Sequence, residues 1–289
     1  MFRPKLILLC GIPGSGKTFY AERIKDSYSY IVHLSSDAIR KELYGDESIQ
    51  GNPSEVFSLM QNRAIEFLNN GYDVIYDATN ITRKDRASII AKCPKFARIK
   101  CNIIWAPIEI CIERDAARER TVGKEVIDRM LKHFQMPYYD EGIDEIEIIT
   151  PDNFNYSSYY KDIMASMKIP HDNPHHTLDI YHHCMSAEKY AAEHKFSLVI
   201  RTAADLHDCG KPYVKSFVNT KGETTETAHY YQHQCTGTWI ACGLTSNINV
   251  LWLISTHMAP FLNEKYYKNL PSYLKTMVDQ LHECDLAAH

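Results

Sequence analysis

Short, continuous apolar runs alternate with stretches of helical period through the first half of the chain. Leu6-Ile7-Leu8-Leu9-Cys10 is apolar throughout, the pattern of a strand buried on both faces. Similar runs recur at Tyr30 to Leu34, Tyr72 to Tyr76, Ile99 to Trp105 and Ile146 to Thr150. Between them lie segments whose apolar residues share one helical side, among them Phe19 to Lys25 and Ala38 to Tyr44. A longer one opens at Asn52-Pro53-Ser54-Glu55, with an Asn cap and Pro at the first helical position. It keeps Val56, Leu59, Met60, Ile65 and Leu68 on one side and stops at Gly71. Thr82-x-x-Asp85 resembles a capping box at the start of another helix; Pro107 to Arg120 and Val126 to Phe134 follow. Strands alternating with helices predict an α/β domain over residues 1–150, a five-stranded parallel sheet flanked by helices.

The period is lost over residues 151–170, rich in Tyr, Ser, Asn and Asp, which read as a linker with a short helix from Tyr159 to Met167. From 171 to 289 the pattern predicts an all-α domain. Its helical segments carry His229 and His233 one turn apart, His257 in the apolar run LWLISTHM, and Asp285 in LHECDLAAH.

The chain has 289 residues, enough for two domains with separate cores. Its formal net charge of −4 excludes a global basic field, so any nucleic-acid groove is local. Met1 to Pro4 lead directly into the first core strand, so no signal peptide is expected, and no apolar run reaches the length of a membrane span. Nine cysteines form no C-x-x-C pair and sit mostly in apolar runs, as Cys10, Cys101, Cys111 and Cys242 do; reduced thiols and a cytoplasmic location are expected. All histidines but His33 and His133 follow residue 170, while all arginines but Arg201 precede 130. The first half is thus equipped to handle phosphates and the second to hold metal.

Gly11-Ile12-Pro13-Gly14-Ser15-Gly16-Lys17-Thr18 leaves the first strand and opens a helix, which is the P-loop order. Gly11, Pro13, Gly14, Ser15 and Gly16 shape a turn whose N–H groups face phosphate oxygens; Lys17 reaches the β- and γ-phosphates and the Thr18 hydroxyl ligates Mg²⁺. ATP or another nucleoside triphosphate is the expected ligand. Lys17, Asp37 and Asp77 all fall just after strand ends, where ligands gather in a parallel sheet. Asp37 fits the base for phosphoryl transfer to a hydroxyl, and Arg40, one turn on, the group that holds the acceptor or its flanking phosphate. Asp77 reads equally as catalytic or as a turn residue. Arg114 and Arg118 are four apart and share a predicted helix face, so they can close over the triphosphate.

GIPGSGKT, then S-S-D-x-x-R (Ser35 to Arg40), D-A-T-N (Asp77 to Asn80) and R-D-A-A-R (Arg114 to Arg118) together resemble the phage-type polynucleotide 5′-kinases over residues 1–150. That resemblance implies Asp37 as general base toward a 5′-hydroxyl, Arg40 on a substrate phosphate, and a lid arginine on the donor phosphates. Arg118 matches the lid best, with Arg114 and Arg120 as neighbouring candidates.

In the second half His207-Asp208 is followed by Cys-Gly-Lys-Pro, placing an imidazole and a carboxylate where both can reach one cation. Such groups among apolar neighbours are costly to bury unless paired or metal-bound. The ordered set resembles the HD-domain phosphohydrolases. The resemblance implies metal ligation by His183, the His207-Asp208 doublet and Asp285, with His233 and His257 as the extra histidines of two-metal members. His176 is similar to an added histidine of HD domains fused to tRNA nucleotidyltransferases, a phosphate contact, and Lys211 is a second candidate for phosphate. The N and O ligands suit Mn²⁺, Fe²⁺, Co²⁺, Ni²⁺ or Mg²⁺. Together the halves resemble polynucleotide kinase-phosphatases that heal broken ends. The expected substrates are nucleic-acid ends, RNA before DNA because only RNA forms a 2′,3′-cyclic phosphate, with an RNA ligase as partner and no membrane. The alternatives are a small-molecule kinase fused to a nucleotidase, and a nucleotide sensor without catalysis.

Overall fold

The apolar run that opens the chain becomes β1 (Lys5–Cys10), the middle strand of a sheet and fully paired on both edges. The computed structural model describes residues 3–28, 30–173 and 177–288, and the fold divides into two units. The first comprises Met1–Met130 and Pro137–Asp152. Here β1, β2 (Ile31–Ser35), β3 (Asp73–Asp77), β4 (Arg98–Ile104) and β5 (Glu145–Ile149) form one parallel sheet in the order β2-β3-β1-β4-β5. Between the strands run α1 (Lys17–Ser27), α2 (Ser36–Tyr44), α3 (Pro53–Asn69), α4 (Arg83–Ile90), α5 (Ile108–Ala116) and α6 (Lys124–Leu131).

The caps form where the side chains allow. The Asn52 side chain accepts from the Ser54 N–H at the start of α3, and Thr82 and Asp85 exchange both capping-box bonds at α4. Ser35 accepts from the N–H groups of Asp37 and Ala38, starting α2 at Ser36, two residues before the predicted Ala38. α5 is shorter than predicted and stops at Ala116. The reason is Asp115, a buried carboxylate that accepts from the N–H groups of Val122 (3.0 Å) and Gly123 (2.9 Å) and turns the chain away just past the helix.

The second unit comprises Leu131–Met136 and Asn153–His289. Residues 131–136 leave the first domain as predicted from sequence because Phe134, fully buried, packs edge-on against Trp239 at 5.2 Å. The segment predicted as a linker holds α7 (Tyr156–Ser166), with Ile163 and Met164 buried and the Tyr159 hydroxyl 3.5 Å from the Ile240 carbonyl. Then follow α8 (Ile180–Glu193), α9 (Leu198–Leu206), α10 (Lys211–Val214), β6 (Ser216–Val218), β7 (Thr224–His229), α11 (His233–Ala241), α12 (Ile248–Thr256), α13 (Ala259–Leu262), α14 (Glu264–Lys268) and α15 (Ser272–Ala287). α8 packs on α9 and α15, and α12 on α9 and α11.

The all-α expectation is corrected here: β6 and β7 form an antiparallel hairpin. The β-prone, polar run Thr224-Thr225-Glu226-Thr227 has no apolar helical side to bury, so it pairs instead. His229 therefore ends a strand while His233 opens a helix, and the two do not share a helical face. Among the described residues no helix is long and apolar enough to cross a membrane.

Candidate active sites

In the first unit the P-loop bends from β1 into α1. Gly14 has φ +76°, and a Cβ there would lie 2.1 Å from the Cys111 carbonyl oxygen, so only glycine lets α5 press onto the loop. That approach brings the Arg114 guanidinium to 3.5 Å from the Gly14 carbonyl. Arg118 lies in the bend beyond α5, so the two arginines do not share a helix face, and Arg114 is the one seated on the loop. Lys17 donates from Nζ to the carbonyls of Gly11 (2.9 Å) and Ile12 (3.0 Å). Burial pushes its ammonium below the usual value, and the Asp77 carboxylate opposes that shift. Asp77, at the tip of β3, places Oδ2 3.5 Å from the Thr18 hydroxyl and 3.1 Å from His33 Nε2.

On α2, Arg40 donates to Asp37 Oδ1 at 2.6 Å and reaches Ser36 Oγ at 3.4 Å. Its Nε is buried without a hydrogen-bond partner among the described residues. Beside the P-loop opens a cavity of about 280 Å³ lined by Ser15, Gly16, Trp105, Arg114, Thr150 and Pro151. Behind the loop, Gly11 N–H donates to the Thr79 carbonyl and the Asn80 side chain to the Leu9 carbonyl, tying D-A-T-N to β1.

In the second unit six side chains from five helices and their ends meet. His183 and Asp285 come from the first turn of α8 and the last turn of α15; His207 and His257 cap the C-terminal ends of α9 and α12; Asp208 follows His207; and His233 starts α11. Gly210 allows the gathering, since a Cβ there would stand 2.2 Å from the His233 carbonyl oxygen. His183, His207 and Asp208 bring ligand atoms within 4.8 Å of one another, and so do Asp208, His233 and His257. Asp208 is common to both groups.

Each of the four imidazoles spends Nδ1 on a backbone carbonyl: His183 on Ala288 (2.7 Å), His207 on Ala204 (2.8 Å), His233 on Tyr230 (2.9 Å) and His257 on Ile254 (2.8 Å). A carbonyl cannot donate, so Nδ1 carries a hydrogen in each ring and Nε2 is the atom left to face the cluster. The Nε2 atoms face the two carboxylates and each other. His183 Nε2 is 3.0 Å and His207 Nε2 3.4 Å from Asp285 Oδ1, and His233 Nε2 is 3.2 Å from Asp208 Oδ1. The Nε2 atoms of His233 and His257 are 3.1 Å apart. His207 Nε2 and Asp208 Oδ2 are buried with no hydrogen bond among the described residues, although Lys211 Nζ lies 2.5 Å from that Oδ2 as an ion pair. Burial alone would raise the Asp208 carboxyl, but Lys211, His207 and His233 outweigh it and hold it well below the usual range. Burial, with His233 and His207 nearby, pushes His257 down to about 3. A buried nest of imidazole nitrogens and carboxylate oxygens of this kind fits divalent cations.

Two residues were not foreseen from sequence. His33 is the polar interruption in the apolar run Ile31-Val32-His33-Leu34, and that interruption was the available signal. His171 is buried, receives the Lys211 ammonium at 3.4 Å from Nε2 and stacks edge-on to His183; standing alone after Pro170, it has no periodic context to mark it. His176 lies outside the described residues. His229 faces Thr225 Oγ1 at 3.0 Å in the hairpin.

Residues 6–137, just under half of the chain, match the family model of the AAA domain. This stretch carries the P-loop between the first strand and first helix of the five-stranded parallel sheet. No curated protein matches the chain. Among solved structures, it is similar to a chain of the Pnkp1/Rnl/Hen1 RNA repair complex, with 23% identity over 45% of this chain and 43% of that one, TM-score 0.42. A gluconokinase from Sinorhizobium meliloti 1021 shows 16% identity over 53% of this chain and 86% of its own, TM-score 0.38. A fungal RNA kinase shows 12% identity over 55% and 81%, TM-score 0.37. The chain thus spans less than half the length of the repair-complex protein.

Proposed function

We propose that the protein heals nucleic-acid ends: the first unit phosphorylates a 5′-hydroxyl from ATP, and the second hydrolyses a 2′,3′-cyclic phosphate or 3′-phosphate. On this reading Lys17 holds the donor phosphates and Arg114 covers them. Asp37 takes the proton of the 5′-hydroxyl, whose oxygen attacks the γ-phosphorus as ADP leaves; Arg40 holds the acceptor's flanking phosphate. Thr18 and Asp77 would hold Mg²⁺, which would supply charge neutralisation beside the transferring phosphoryl group. The cavity beside Trp105 and Arg114 accommodates the donor base.

In the second unit, His183, His207, Asp208 and Asp285 would hold one divalent cation and Asp208, His233 and His257 another. Bound cations supply Lewis acidity toward phosphorus and lower the pKa of water. Lys211, steered by His171, contributes positive charge beside Asp208 where the phosphoryl group would gain negative charge. Arg118 and His176 are retained as a second lid candidate and a second phosphate contact. The observation that carries the hydrolase reading is the inward convergence of four Nε2 atoms and two carboxylates. The product polarity, 5′-phosphate and 3′-hydroxyl, is that required by an RNA ligase, which is the partner class proposed.

Two assays test the reading. With γ-labelled ATP and Mg²⁺, label is expected to pass to a 5′-hydroxyl oligoribonucleotide and to fall about a thousandfold in Asp37→Ala. Preference for a mononucleoside acceptor would replace this reading with the small-molecule one. With Mn²⁺, an RNA ending in a 2′,3′-cyclic phosphate should be opened; an unchanged terminus with every divalent cation offered would remove the hydrolase half.

A further inference from the structure

We infer that His33 is a positioning residue of the phosphoryl-transfer site, fixing the Asp77 carboxylate for the cation that Thr18 helps to hold. The inference rests on the transferase reading above and adds a residue that no P-loop pattern specifies. Strand register supplies the geometry. β2 and β3 pair His33 with Ile75 and Ser35 with Asp77, so His33 and Asp77 are diagonal neighbours on one face of the sheet. Both side chains are largely removed from water, at 13% and 6% exposure. A carboxylate so placed needs its oxygens occupied. Asp77 Oδ2 has two neighbours, the Thr18 hydroxyl at 3.5 Å and His33 Nε2 at 3.1 Å, and the imidazole is the nearer.

The anchoring differs between the two. Thr18 is exposed at the start of α1 and, on the proposed reading, turns its oxygen to the cation when the triphosphate arrives. His33 sits within a strand whose backbone is fixed by its pairing with β3, and it touches neither the P-loop lysine nor the acceptor helix in any recorded bond. When Thr18 changes partner, the bond from His33 still holds Oδ2 in place. The same strand ends at Ser35, the cap of α2, so one short segment sets both the Asp77 carboxylate and the helix bearing Asp37 and Arg40.

The test varies free Mg²⁺ at fixed ATP for the full chain and for His33→Leu, His33→Gln, Asp77→Asn and the double variant His33→Leu/Asp77→Asn. Gln extends its amide nitrogen about as far from the backbone as Nε2 of His and can donate the same bond. In His33→Leu the Mg²⁺ concentration for half-maximal transfer is expected to rise about tenfold, with kcat at saturating Mg²⁺ falling no more than about threefold. His33→Gln should return to within about twofold of the parent, and His33→Leu should add nothing in the Asp77→Asn background. Equal Mg²⁺ dependence in parent and His33→Leu, or a Gln variant as impaired as Leu, overturns the inference, since a packing role would not be rescued by a donor. If the parent transfers no phosphate, the transferase reading fails separately. Calorimetric binding of ADP with Mg²⁺ then carries the same comparison, and absence of Mg²⁺-dependent binding in the parent overturns the inference as well.

Discussion

Replacement of Asp208 by alanine is expected to empty both cation positions at once and to lower hydrolysis of a cyclic end by on the order of 10³-fold or more. Among the described residues no other side chain belongs to both ligand groups. His257→Ala removes a ligand from one group only, so metal analysis of the purified protein should read near two ions per chain in the parent, one in His257→Ala and none in Asp208→Ala. The charge balance points the same way. Without the carboxylate, Lys211, which lies 2.5 Å from it, becomes a buried cation facing the position a metal would take. Asp208→Asn is the control for shape: it keeps the packing, loses the charge and should behave as Asp208→Ala does. Phosphoryl transfer by the first unit should be unchanged in these variants, and Lys17→Ala should show the converse pattern. Retention of two ions by Asp208→Ala would mean that the histidines and Asp285 bind metal without a bridge, and the two-site arrangement would fall.

The parallel sheet was legible because each strand is a short apolar run bounded by turn residues, and because Asn52, Thr82 and Asp85 carry caps that need no tertiary context. What failed depended on partners distant in sequence. The period of Pro107 to Arg120 continues past Ala116, and only the buried Asp115 carboxylate, through the N–H groups of Val122 and Gly123, ends α5 there. Phe134 reads as the end of a helical face of the first domain, yet its ring packs on Trp239, more than a hundred residues away. The hairpin of β6 and β7 has neither the length nor the apolar alternation that marks a strand in isolation.

The same division runs through the sites. The P-loop and the His207-Asp208 doublet are contiguous, so residue order alone carries them. Asp285 could be matched only as the last member of an ordered set, and its 3.0 Å approach to His183 Nε2 comes from the packing of α15 on α8. Arg114 and Arg118 are indistinguishable in sequence; the helix stop separates them. His33 and His171 hold other functional side chains rather than substrate, and groups of that kind have no motif of their own.

Arg86→Met is expected to destabilise the first unit by about 3–5 kcal/mol, the range for breaking one side of a buried ion pair. Arg86 is fully buried, and Nε and one terminal nitrogen each donate to Glu141 at 2.8 Å. The other terminal nitrogen donates to the Asn80 carbonyl at 3.0 Å. Asn80 occupies a left-handed backbone conformation, φ +46°, and donates to the Leu9 carbonyl at the end of β1. Without the guanidinium, Glu141 keeps a carboxylate of 2% exposure whose remaining cation is Arg83, 3.9 Å away and too distant for a hydrogen bond. The Asn80 carbonyl also loses this donor, which loosens the loop behind Lys17. Protection of the β1 and β3 amides in native-state hydrogen exchange measures the loss directly in this unit. The double replacement Arg86→Met/Glu141→Leu should recover more than half of it, because the larger part of the cost is the buried carboxylate left without its guanidinium rather than the pair's own net contribution. A change below about 1 kcal/mol in Arg86→Met would show that Arg83 or water reaches Glu141, and that the pair does not anchor the loop carrying Asp77.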